Sequence, residues 1–137
     1  IPEISVHTMR FSLCLPKTME RQNLVCQAQG KYVPPQVLSG RCHTGSLALS
    51  GGFLSQEGTA VISALKMAEA ISGGWVLRLY EVCGKDSQET FTFPNLVKRA
   101  YFTDVTECRT LEEIPAEGNR IHLRLPPYQV ATIVIEF

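Results

Sequence analysis

Apolar residues recur at every second position through much of the chain, the period expected of strands with one buried face. The strongest run is residues 75–82. Trp75, Leu77 and Leu79 share one face, and Val76, Arg78, Tyr80 and Val82 share the other. The first set predicts the core face; the second is mixed. Gly84-Lys85-Asp86-Ser87 has the composition of a turn, and residues 89–93 resume a strand pattern. The stretch therefore predicts a β-hairpin, with Glu81 and Glu89 facing each other at its exposed end.

The rest of the chain is punctuated in the same way. Met9, Phe11, Leu13 and Leu15 alternate within residues 4–15, a half-buried strand stopped by Pro16. Residues 17–29 lack alternation; Met19, Leu24, Val25 and Ala28 line one side of a short helix closed by Gly30. Pro34-Pro35 forces an extended passage into Gln36-Val37-Leu38. Residues 39–58 are rich in Gly and Ser, with short strands expected at 47–49 and 53–54. Residues 60–67 are apolar on both alternating sets, as in a strand covered on both faces; a buried helix shares that pattern, but the Val61-Ile62 pair and the length favour a strand. Gly51-Gly52 and Gly73-Gly74 read as loop punctuation. Residues 97–105 alternate again, and 106–118 read as an acidic loop ending in the Glu117-Gly118-Asn119 turn. Residues 120–125 place Ile121, Leu123 and Leu125 inward and Arg120, His122 and Arg124 outward. Pro126-Pro127 then breaks the chain before a last strand, 130–137. Short strands between turns with at most one short helix predict an all-β fold, an antiparallel β-sandwich occupying residues 1–137 as a single domain.

Composition narrows the function classes. Thirteen basic and thirteen acidic side chains cancel, so charge offers no reason to expect nucleic acid or an anionic membrane as partner. No run of roughly 18 or more apolar residues is present, and no signal-peptide pattern opens the chain. The opening on Ile1, already strand-like, leads us to expect a piece of a longer polypeptide. Cys14, Cys26, Cys42, Cys83 and Cys108 are odd in number and irregular in spacing. They read as reduced thiols of a cytoplasmic protein rather than a disulfide framework.

Catalytic patterns are missing. There is no G-x-S-x-G elbow, and Cys42-His43 would point to opposite faces if they lay on a strand. His7, His43 and His122 are solitary, without metal-ligand spacing, and His122 alternates with arginines on a wet face. Glycosidase chemistry needs two carboxyl groups held across a sugar bond. Asp86 falls in a turn, Asp104 in a strand, and Glu81 and Glu89 at hairpin ends. Tyr32, Tyr80, Tyr101 and Tyr128 are candidate sugar platforms, whereas Trp75, at a strand start, reads as core filling. No catalytic, carbohydrate-binding or metal-ligating residue is assigned.

Four segments nevertheless resemble, in collinear order, the C-terminal region of family 38 glycoside hydrolases, the α-mannosidases. Val61-Ile62-Ser63-Ala64-Leu65-Lys66 is similar to that family's apolar strand closing on Ala-Leu-Lys, and Gly74-Trp75-Val76-Leu77-Arg78-Leu79-Tyr80-Glu81 to its apolar-Arg-apolar-Tyr strand. Residues 100–107 resemble its strand with aspartate, apolar, any residue, glutamate, met here by Asp104 and Glu107. Residues 125–132 resemble its closing proline–aromatic segment ending in threonine, here Thr132. Residues 7–13 and Pro34-Pro35 fit the section that precedes these, and the cytosolic and bacterial branch is the most similar. Val82-Cys83-Gly84 departs from relatives that carry proline or alanine after the acidic residue, a difference confined to the turn.

The resemblance implies a parent enzyme that hydrolyses α-mannosidic bonds with retention, its aspartate and zinc in an N-terminal barrel that this chain does not match. It implies that this chain is a C-terminal non-catalytic β-domain, without a cofactor of its own. Its partners would be the catalytic and other β-domains of the same polypeptide and, through the parent, a carbohydrate substrate. An exposed docking patch would also leave room for a homo-oligomer. Two other classes remain open at this point: a carbohydrate-binding module working through surface tyrosines, and a purely structural or oligomer-forming domain.

Overall fold

A computed structural model of the chain describes residues 8–9, 11–17, 19–40, 44–46, 50–69 and 71–137. Among these, one helix, α1 (Arg21–Tyr32), precedes nine strands: β1 (Ser55–Glu57), β2 (Val61–Met67), β3 (Gly74–Tyr80), β4 (Ser87–Thr92), β5 (Arg99–Thr103), β6 (Thr110–Ile114), β7 (Ala116–Glu117), β8 (Arg120–Leu125) and β9 (Val130–Glu136). The strands form two antiparallel sheets, ordered β1-β4-β8-β7 and β2-β3-β9-β5-β6. The fold is an all-β sandwich with a single short helix among the described residues.

Strand parity explains the core. In β3, Leu77 stands opposite Leu65 of β2 and Ile133 of β9, while Leu79 stands opposite Ile62 and Ala131. From the facing sheet come Phe91, Phe93, Ile121, Leu123 and Leu125, and together these close one apolar core. β3 is apolar on its other set too, because Val76 joins Tyr101 and Val134 in a small cluster on the outer face, roofed by Ala68 and Ile71. One end of the core is plugged by rings. Phe53 stacks on Trp75 with centroids 4.2 Å apart, and Phe93 and Phe137 meet at 5.3 Å beside it.

Several expectations need correction. Residues 75–93 are not a hairpin: β3 pairs with β2 and β9, and β4 pairs with β1 and β8 in the opposite sheet. The turn-like residues between them carry the chain from one sheet to the other. Trp75 is half-buried at the rim instead of central. β2 is an edge strand, with Leu65 and Met67 exposed, rather than a strand covered on both faces. Within 4–15, the described residues form no strand, and Phe11, Leu13 and Leu15 are exposed. The expected strand at 53–54 begins instead at Ser55, and that at 47–49 lies outside the described residues. The acidic stretch 106–118 carries β6 and β7; only Ile114 of β6 is buried, which leaves no alternation to read. The parity of β8 is as expected, with Ile121, Leu123 and Leu125 inward and Arg120, His122 and Arg124 outward.

Candidate functional site: two buried glutamates and an ion-paired cluster

Five connections between the described strands cross from one sheet to the other, and the site is built from three of them: 58–60 (β1 to β2), 81–86 (β3 to β4) and 126–129 (β8 to β9). They lie at one end of the sandwich, since Val61 pairs with Tyr80, Tyr80 with Val130, and Ser87 with Leu125. Each crossing leaves backbone N–H groups without a ladder partner, and burial makes that costly. Two glutamates supply the acceptors.

Glu89 is 1% exposed. Its carboxylate accepts from the Thr59 and Ala60 N–H groups at 2.8 and 2.9 Å, from Gln56 Nε2 at 2.8 Å, and from the Ser87 hydroxyl. Glu81 is 3% exposed and accepts from the N–H groups of Cys83, Gly84 (2.8 Å) and Tyr128 (3.0 Å), so one carboxylate fastens two crossings. Burial pushes the Glu81 carboxyl up, but the N–H groups of Tyr128, Cys83, Gly84 and Lys85 together outweigh it and hold the group below its ordinary value. An acid kept ionised in this way is not a proton donor at neutral pH. Around it the backbone is tightly specified: Gly84 has φ +72°, with the Tyr128 ring where a β-carbon would go, and Tyr128 itself has φ +60°.

The second group lies on the outer face of the five-stranded sheet. Lys66 Nζ reaches Glu107 at 2.9 Å and Glu69 at 3.0 Å. Arg78 reaches Glu107 at 3.4 Å, donates to the Val105 carbonyl at 3.1 Å, and donates to Thr132 Oγ1 at 3.3 Å. Glu107 arrives there by a turn that Asp104 builds. Asp104 Oδ1 accepts from Thr106 Oγ1 at 2.9 Å and from the Cys108 N–H at 3.1 Å, and Glu107 adopts φ +65°. The Thr106 hydroxyl chiefly, and the backbone N–H groups after it, hold the Asp104 carboxyl below its ordinary value. Hydrogen bonds to Glu107 and Glu69 push the Lys66 ammonium up.

The other sequence candidates stay apart. His122 is exposed, with Nδ1 2.9 Å from Thr90 Oγ1 and Nε2 3.8 Å from Glu117. Asp86 pairs with Arg124 at 2.8 Å on the surface. Cys14, Cys26 and Cys108 are exposed free thiols and Cys83 is a half-buried one; His7, His43 and Cys42 lie outside the described residues. Tyr101 is buried, Tyr80 half-buried, and the exposed pair sit apart in the chain, Tyr32 at the end of α1 and Tyr128 in the 126–129 connection. Among the described residues no group of three or more His, Cys, Asp or Glu gathers with metal-ligating geometry. A cleft of about 460 Å³ opens between the sheets beside the 126–129 crossing, lined by Phe102, Leu111, Glu112, Arg124 and Gln129 among others.

Sequence reading placed Glu81 and Glu89 on an exposed hairpin end, and they are neither exposed nor on a hairpin. Parity held the missed signal. Glu89 is two residues from Phe91 and four from Phe93, so all three share the inward face.

The family model for the glycosyl hydrolases family 38 C-terminal beta sandwich domain matches residues 59–133, more than half of the chain. The chain belongs to this family. No curated protein and no solved structure matches it. The matched stretch of this family 38 domain contains Lys66, Arg78, Glu81, Glu89, Asp104, Glu107 and Thr132. The four motif segments that seemed separate in sequence therefore meet: Lys66, Arg78, Glu107 and Thr132 form one polar cluster, and Glu81 fastens the closing segment through Tyr128. Residues 7–13 and Pro34-Pro35 lie outside the match.

Proposed function

We propose that this chain is the non-catalytic C-terminal β-domain of an α-mannosidase-type glycoside hydrolase of the cytoplasm. It packs against the catalytic barrel and the other β-domains of the same polypeptide, and the barrel supplies the aspartate and the zinc that cleave the α-mannosidic bond. Family membership supports the parent activity. The state of the buried acids carries the non-catalytic assignment: the Glu81 and Glu89 carboxylates are taken up by backbone and side-chain donors at the crossings. A packing role is supported by residues 8–40, where Phe11, Leu13, Leu15, Val37 and Leu38 are each at least 88% exposed. Apolar side chains laid out this densely call for a covering surface.

The experiment is a turnover assay with an aryl α-mannoside, run on the complete polypeptide and on this chain alone, each with and without zinc. The expected result is zinc-dependent hydrolysis by the complete protein and none by this chain. Zinc-dependent hydrolysis by the pure chain would overturn the reading, as would a complete protein that is inactive on α-mannosides.

A further inference from the structure

We infer, on the reading of this chain as one domain of a longer enzyme, that residues 9–15 are a β-strand of the neighbouring β-domain. In the complete polypeptide they add to an edge of that domain's sheet, and the Gly- and Ser-rich residues 39–52 link it to this sandwich. Both apolar clusters of the sandwich, with the side chains packed against them, come from residues 53–137. The family match also begins inside that range, at residue 59. No described residue between 8 and 40 is buried. The sandwich therefore closes its core without any side chain from this stretch.

What the stretch does bring is a pattern. Met9, Phe11, Leu13 and Leu15 alternate with Arg10, Ser12 and Cys14, the period of a strand with one dry face. Yet residues 8–15 pair with no strand among the described residues. Ser12 and Cys14 border a cleft with Leu24, Ala28 and Tyr32 of α1, and the apolar parity is left bare: Phe11, Leu13 and Leu15 are 88%, 95% and 93% exposed. A period of two fixes the kind of partner. A helix docking in a groove uses residues three and four apart, whereas this set lies in a row only on extended backbone. Extended backbone is buried at low cost only where its N–H and C=O groups find a ladder, which means the edge of a sheet with an apolar inner face. α1 joins the two units. Its Gln22 and Gln29 side chains donate to the Gly58 and Ile62 carbonyls at 3.5 and 3.3 Å, and Arg21 to the Tyr128 hydroxyl at 2.9 Å. The occupant is a sheet of the same polypeptide, because a short tether holds it at an effective concentration on the order of millimolar, above what a separate chain reaches.

The experiment measures amide exchange by mass spectrometry on this chain alone, over a concentration series, and on the complete polypeptide. Residues 9–15 should exchange at close to unprotected rates in the chain alone at every concentration, and about a hundredfold or more slower in the complete polypeptide. Phe11→Asp/Leu13→Asp should leave the melting temperature of the chain alone within about one degree of the parent's. In the complete polypeptide the same double variant should remove the protection of residues 9–15. Protection already present in the chain alone would overturn the inference, in favour of this sandwich's own edges if it is independent of concentration and of a second copy if it grows with it. Equal exchange in the chain and the complete polypeptide would overturn it too. So would protection that survives the double variant, or a larger drop in the melting temperature of the chain alone. Turnover plays no part in the readout, so a complete protein inactive on α-mannosides but protected at residues 9–15 would overturn the proposed activity and leave the strand assignment standing.

Discussion

Gly58 passes so close to the carboxylate of Glu89 that a β-carbon on the glycine would overlap it. The contact joins the β1–β2 crossing to β4, and Gly58 holds φ +143°, a conformation other residues rarely adopt. Gly58→Ala should therefore destabilise the fold by about 3 kcal/mol or more. Denaturant unfolding checks this, and a loss below about 1 kcal/mol would mean that the crossing relaxes at little cost.

Glu89→Leu is close in bulk but removes the acceptor that serves the Thr59 and Ala60 N–H groups. Leaving those donors buried and unpaired should cost about 3 kcal/mol. The loss should not simply add to that of Gly58→Ala, because both changes act on one contact. A double-mutant cycle by urea melts reads the coupling.

Glu81 sets an acid limit. Its carboxyl is held below the ordinary value of 4.5, so the folded state binds the proton less readily than the unfolded chain. The stabilisation is complete above about pH 5 and is lost as pH falls through the lowered folded value. Asp104, also lowered, contributes in the same direction. Glu81→Gln should flatten the fall in melting temperature below pH 5, and a variant with the parent's acid profile would assign the limit to other groups.

Glu107 lies between two cations on a half-wet sheet face. Glu107→Gln should cost about 1–2 kcal/mol by leaving Lys66 and Arg78 without their common counter-charge. Lys66→Met in the same background should recover part of the loss, which thermal melts at low and high salt would show. The raised Lys66 ammonium adds stability that is present below 10.5 and fades as pH climbs through its folded value.

Trp75 stacks on Phe53 at the rim, half covered. Trp75→Ala should cost about 2–3 kcal/mol, less than the 3–5 typical of a fully enclosed large aromatic. Its fluorescence should be only partly shielded from a soluble quencher such as acrylamide.

How far the chain could be read depended on what each strand faces. β8 was legible because one side is wet and one is dry, so the alternation of Arg120 to Leu125 is clean. β6 was invisible because a polar edge strand with a single buried residue, Ile114, has no period to detect. The β3–β4 connection misled because crossing between layers and folding back within one layer call for the same glycine and polar residues. The distinguishing sign was Glu89, whose position in step with Phe91 requires a charge inside and hence an unusual set of donors nearby. The Lys66–Arg78–Glu107 cluster was out of reach. Lys66 and Arg78 meet by the pairing of β2 with β3, but Glu107 reaches them from the distant β5–β6 turn, and its left-handed backbone follows from local hydrogen bonds to Asp104.

The place of β9 in its sheet bears on when the domain can form. β9 lies between β3 and β5 and is the last of the described strands to leave the ribosome. Until it emerges, β2–β3 and β5–β6 are two unconnected ribbons, each showing bare apolar side chains such as Leu77, Leu79 and Ala100. The layer is therefore completed by its centre rather than its margin, after every other described strand has been made. Nascent chains stopped short of residue 130 should stay open and be bound by chaperones, however much of the sequence has already been made.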